Sequence, residues 1–251
     1  MSFFKKLFGS KEEKAASPLK EDRLKPFKEV AWMTDLRLKN IKICLDAGFK
    51  PATSLPTELD RSLRPTVEIA NRLNAIKALV LWFLVPQENL PDEKLLSFVE
   101  RNKLEAYMEE SERELLKLSR LDEAARNAIG WKFENAWPLA WYFGYKAPDI
   151  FGQMMTGEQM REVFTSYSCP LEGNVEEWEK TMGAKSEDEV KKKEDLFYCL
   201  HNAVRSAQMG GETVPPEFDP MSNGGVIHER RHALTWMMSE GVSWEDTDLS
   251  T

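Results

Sequence analysis

The sequence predicts an all-α fold: a single compact multi-helix domain behind a flexible N-terminal leader. Three observations carry this. Apolar residues recur at spacings of three and four in one segment after another. No stretch alternates apolar and polar residues over the length of a strand, and no Asn-Gly or Asp-Gly turn joins two such runs. Gly, Pro and Ser fall where those helical segments would start or stop. With 251 residues, 42% of them hydrophobic and 30% charged, the chain is long enough and apolar enough for one sizeable core. The division read from composition is a charged leader over residues 1–27 and a helical domain over 28–251.

The leader opens with Phe3, Phe4, Leu7 and Phe8 around Lys5 and Lys6, too short and too charged for a secretory signal. Residues 3–8 present one apolar face, enough for weak contact with a membrane surface; a disordered leader is the simpler expectation. Leu38, Ile41 and Leu45 then mark a helix that Gly48 and Pro51 stop, followed by a loop over 49–63. Pro65 suits the first turn of the next helix, where a missing N–H costs nothing. Its buried stripe is Ile69, Leu73, Ile76 and Val80, apolar all round from Ala78 onward, with Glu68 and Arg72 placed to pair four residues apart. The longest apolar run, Ala78 to Val85, is far shorter than a membrane span.

Beyond it lie a short helix around Leu95, Leu96 and Val99 and a charge run, Glu109 to Glu114, expected on a solvated face. Ser119 and Asp122 have capping-box spacing and open a helix through Trp131, Trp137 and Trp141 to Gly144. Its second half has no charge after Glu134 and is expected to be buried. Pro138 opposes the carbonyl of Glu134, so a kink is expected there, and the Glu134 carboxylate needs a donor, most naturally an arginine. One short helix is expected near Glu158 to Phe164. The charged stretch Lys185 to Lys193 is expected to be exposed ahead of a helix over Asp195 to Arg205, ended by Gly210-Gly211. A last helix carries Val226 to Met238 and is capped by Gly241.

Three cysteines at wide spacing, Cys44, Cys169 and Cys199, read as reduced thiols of a cytoplasmic protein. A net charge of −8 excludes a general nucleic-acid surface. The sequence has no nucleotide loop, no Gly-x-Ser-x-Gly elbow and no paired-cysteine metal motif. One catalytic motif is matched: His228-Glu229-x-x-His232. On a helix it sets two imidazoles on one face, where they can grip zinc while the glutamate polarises a water, with His201 as a third candidate ligand. Arg230 and Arg231 oppose a cation there unless they point away. The alternative is a helix that carries histidines near its start, with no cofactor.

Four blocks together resemble a known family. They are Leu63-Arg64-Pro65 with Glu68-Ile69-Ala70 and Arg72; Trp131-Lys132 and Glu134 running to Leu139 and Trp141; Asp195-Leu196 and Tyr198 with Leu200-His201 and Ala203-Val204-Arg205; and Val226-Ile227 with Glu229-Arg230, Ala233-Leu234 and Trp236, ending in Trp244 to Asp248. In this order the chain resembles the mainly bacterial family catalogued as domain of unknown function 4272, over about residues 35–248. The resemblance places Arg231 where the family has a histidine, and puts His228 and His232 at positions it leaves variable. Cys199 and Asn202 stand where the family commonly has arginine and tryptophan.

The resemblance also implies that Glu68, Arg72, Glu134, Asp195, His201, Arg205, Glu229 and Arg230 belong together. The expectation is a polar cluster between four helices, either a pocket for a small anion or a network of ion pairs that fixes helix register. Three functional readings follow. One is a non-enzymatic helical protein acting through a protein partner, the second a binder or enzyme of a small anionic ligand, and the third a zinc hydrolase at His201, His228 and His232.

Overall fold

A computed structural model describes residues 22–57 and 61–251, and among these every regular element is helical. The leader's residues 1–21, including the apolar face at 3–8, lie outside the described residues. Helical structure begins at a 3₁₀ turn over Asp22–Leu24, and α1 (Lys25–Lys28) already buries Phe27. The described helical part therefore starts ahead of residue 28.

Helix α2 (Asp35–Asp46) starts where Thr34 accepts a hydrogen bond from the Arg37 N–H and ends before Gly48, whose φ of 90° is open to glycine at little cost. The central element is α3 (Thr66–Leu84). Ile69, Leu73, Ile76 and Val80 are without exposure, as their spacing predicts, and each contributes about 2 kcal/mol by leaving water. Around α3 pack α4 (Asp92–Arg101), α6 (Glu123–Ile129), α7 (Lys132–Tyr142), α9 (Val175–Thr181) and a 3₁₀ turn over Leu104–Tyr107.

On the other side, α7 meets α11 (Ser222–Met237), α11 meets α10 (Glu187–Gln208), and α10 meets α2. A row α3, α7, α11, α10, α2 thus carries the core, with α8 (Gly157–Ser166) against α7 and the short α5 (Glu110–Leu115) following the 3₁₀ turn. None of the described helices is long and apolar enough to cross a membrane. All three cysteines are free and buried.

Four expectations of detail change. The helix expected over 119–144 is two, α6 and α7, parted at Gly130 and Trp131; Asp122 itself is the cap, accepting from the Ala125 N–H. Trp131 is 41% exposed, while Trp137 and Trp141 are buried with the rest of α7. The segment Lys185 to Lys193 is mostly the first turns of α10, started by a reciprocal box between Ser186 and Glu189, and Val190 anchors it in the core. Helix α9 has no counterpart in the apolar periodicity; it is capped by Asn174, buries Val175 and packs the partly buried Trp178 against Phe143.

Candidate functional site

The residues expected to form one polar cluster are instead distributed among separate partners along the helix row. Glu134 on α7 and Arg230 on α11 are both fully buried, joined through Oε2 at 2.7 Å, while Glu134 Oε1 accepts from the Met155 N–H at 2.7 Å. Arg230 also donates to the Asp149 backbone and carboxylate oxygens, each at 2.8 Å, and to the Gln153 carbonyl, with its guanidinium 4.4 Å from the Trp137 ring centre. The arginine partner expected for Glu134 is therefore present.

Arg72 does not pair with Glu68. Its two terminal nitrogens hold the two oxygens of Glu112 at 2.5 and 2.8 Å, its guanidinium lies 4.0 Å from the centre of the Trp244 ring, and Lys132 reaches the same carboxylate at 2.5 Å. Glu112 is thus buried within a charge run that its composition marked as solvated. Burial pushes its carboxyl up, but Arg72 and Lys132 outweigh that and hold it at about 2. Glu68, partly exposed, pairs with the buried Arg64, 3.0 Å away. Asp195 accepts from Arg37 and from Asn40, each at 2.7 Å. Arg205 is exposed and bonds to Gln208, and Glu229 accepts from Asn135 at 2.8 Å.

The three histidines form a row. Arg231 approaches Nδ1 of His201 at 2.5 Å, so that nitrogen accepts and Nε2 carries the proton, which it donates to His228 Nδ1 at 3.2 Å. His232 donates from Nε2 to the Trp244 carbonyl, its ring 6.5 Å from His228 and 4.3 Å from Trp244. Among the described residues no group of three His, Cys, Asp or Glu side chains could hold a metal ion. Arg231 closes the row by donating to the carbonyls of Leu249 and Ser250.

A different place combines space with chemistry. A cavity of about 580 Å³ lies between α3 and α8, walled by Val80, Leu81, Leu84, Met160 and Phe164, with Lys77, Lys94 and Arg161 among its charged residues. Lys77 is buried at 4% exposure, and its ammonium donates to the Cys169 carbonyl at 2.5 Å. No carboxylate lies within ion-pair distance of it among the described residues, whereas Arg37, Arg72 and Arg230 each have one. Burial lowers the Lys77 ammonium to about 8, against a smaller pull upward from Cys169 and Glu172. The sequence does carry a signal for it, since Lys77 is the one charged residue between Arg72 and Glu88.

The family model described as "Domain of unknown function (DUF4272)" matches residues 34–247. No curated protein and no solved structure matches the chain.

Two outcomes are expected of these pairs. Glu134→Leu takes from Arg230 its fully buried carboxylate, leaving it the partly exposed Asp149, and lowers stability to urea by about 3 kcal/mol; the double variant with Arg230→Met is expected to lose clearly less than the sum of the two single losses. Additive losses would show that the pair is not coupled. The second outcome concerns pH. Burial, then Arg231, His228 and Arg205, lower His201 to about 3 from an unfolded value of 6.5. Between those values the unfolded chain binds more protons, so this stability is complete above about pH 6.5 and drains as pH falls towards 3. His232, lowered to about 4 mainly by burial, has the same sign. Glu112 contributes only below its unfolded value of 4.5; from about pH 6.5 down to about pH 5 the histidines lower the urea midpoint against a gain from the raised carboxyls of Glu134 and Glu194, and His201→Gln is expected to lessen the fall, with His232 supplying part of what remains.

Proposed function

From a chain that belongs to the family of domain of unknown function 4272, whose description names no activity, we propose a protein that acts by binding a small, largely apolar molecule in the cavity between α3 and α8. One observation carries the reading: a cavity of about 580 Å³ with apolar walls includes a buried lysine with no carboxylate partner among the described residues. Ligand sites are concave, mainly apolar and furnished with a few placed polar groups, and a cavity of this size is in their usual range. A buried charge without a counter-ion is costly and marks a place where an incoming group is stabilised. The buried ion pairs of α2, α7, α10 and α11 are then the frame. They hold register, and their arginines are taken up by internal carboxylates. Three buried free thiols favour a reducing, cytoplasmic setting.

A second reading, action through a protein partner, draws on one surface. Phe151 and Met154 flank Gly152, whose carbonyl accepts from Asn223, next to Met221; the three apolar side chains are 47%, 58% and 74% exposed. Such a patch suits an interface.

The cavity reading is tested with the neutral dye Nile red. Its fluorescence is expected to rise on addition of the protein and to rise several-fold less with Thr165→Trp. Thr165 lines the cavity, is exposed and bonds only within its own helix, so an indole there obstructs the space without disturbing the core. Equal signals from the two proteins would place the apolar site elsewhere.

A further inference from the structure

We infer that the ligand of the α3–α8 cavity is a linear aliphatic monocarboxylate, its carboxylate paired with the Lys77 ammonium and its chain laid along the apolar stripe of α3. This rests on the binding reading above and adds the charge, shape and orientation of the ligand.

The sign of the charge comes from the lining. Lys94 is matched by Glu172 at 2.6 Å, which leaves Lys77 and Arg161 as cationic groups of the cavity with no carboxylate partner among the described residues. A cavity with two uncompensated cations, in a chain whose net charge is −8, attracts anions against the field of the rest of the molecule. An ammonium has three donor hydrogens, and the Cys169 carbonyl takes one at 2.5 Å; two remain for the two oxygens of a carboxylate. One buried lysine suits a monoanion. A phosphate dianion calls for several converging donors; Arg161 is exposed, and the α8 residues at the cavity, Met160 to Thr165, lie beyond that helix's first turn.

The shape comes from the spacing. Lys77, Val80, Leu81 and Leu84 stand at i, i+3, i+4 and i+7, a straight track on one face of α3. It runs for about 10 Å at 1.5 Å per residue. That is the reach of an eight-carbon chain, whose apolar surface Phe164 and Met160 cover from the α8 side.

The experiment measures displacement of Nile red by octanoate, octanol and octylamine, for the wild-type protein and for Lys77→Met. Methionine keeps the apolar stem and removes a charge that is costly to bury, so the variant is expected to fold; retained octanol binding confirms that it does. For the wild type, octanoate is expected to displace the dye at a concentration about tenfold lower than octanol, and octylamine more weakly than either. In Lys77→Met the octanoate preference is expected to vanish while octanol is unaffected. Equal potency of octanoate and octanol on the wild-type protein, or a preference that survives in the variant, would overturn the carboxylate inference and leave the cavity reading intact. Failure of the dye and of all three compounds to bind would bring down both.

Discussion

The contact between Glu134 and Arg230 sets the terms for the rest of the molecule. Both side chains are removed from solvent, and neither tolerates that alone, since an isolated ion in an apolar interior costs several kcal/mol even after the surroundings relax. They tie α7 to α11 at one register, and Arg230 carries the tie on to the segment around Asp149 and Gln153. The same device recurs between α3 and α5 through Arg72 and Glu112, and between α2 and α10 through Arg37 and Asp195. Apolar packing supplies most of the driving force, but it is non-directional; the ion pairs specify which helix faces which.

Much of the fold was legible in the sequence. The stripe of α3, the stop of α2 at Gly48 and the burial of Glu134 beside an arginine all follow from local spacing or from the cost of a bare charge. The partner of Arg72 was not legible, because Glu112 sits in a run of acidic and basic residues whose composition is that of a solvated surface. Only the tertiary approach of α5 to α3 singles it out. Helix register explains the Glu68–Arg72 expectation as well: residues four apart share a face, yet Glu68 reaches Arg64, equally four away on the other side, and Arg72 turns to the stronger, buried partner.

The expectation of one convergent cluster fails for a related reason. Charged residues grouped by family resemblance share a role in the fold without sharing a place in it. The buried ones serve different contacts: Glu134 and Arg230 the α7–α11 seam, Asp195 the α2–α10 seam, and His201 the approach of Arg231, whereas Arg205 is exposed and bonds within α10. The His-Glu-x-x-His match likewise places its histidines along a row, with nitrogens committed to Trp244 and to a neighbouring imidazole. Lys77 is the contrasting case. Its position in an apolar run was visible, but a cavity beside it is a property of how α3, α8 and the loop at Pro170 enclose space, which no local pattern encodes.

Within this frame the buried cations divide by what neutralises them. Arg37, Arg72 and Arg230 have internal carboxylates, while Lys77 has a backbone carbonyl and an adjoining cavity. The most direct measurement is an NMR titration of the Lys77 ε-ammonium in the folded protein, free and with octanoate. Burial without a counter-ion places its pKa at about 8 in the free protein, and an anionic ligand raises it. A value near 10.5 in the free protein, unchanged by octanoate, would contradict the account, because the ammonium would then already be solvated or paired.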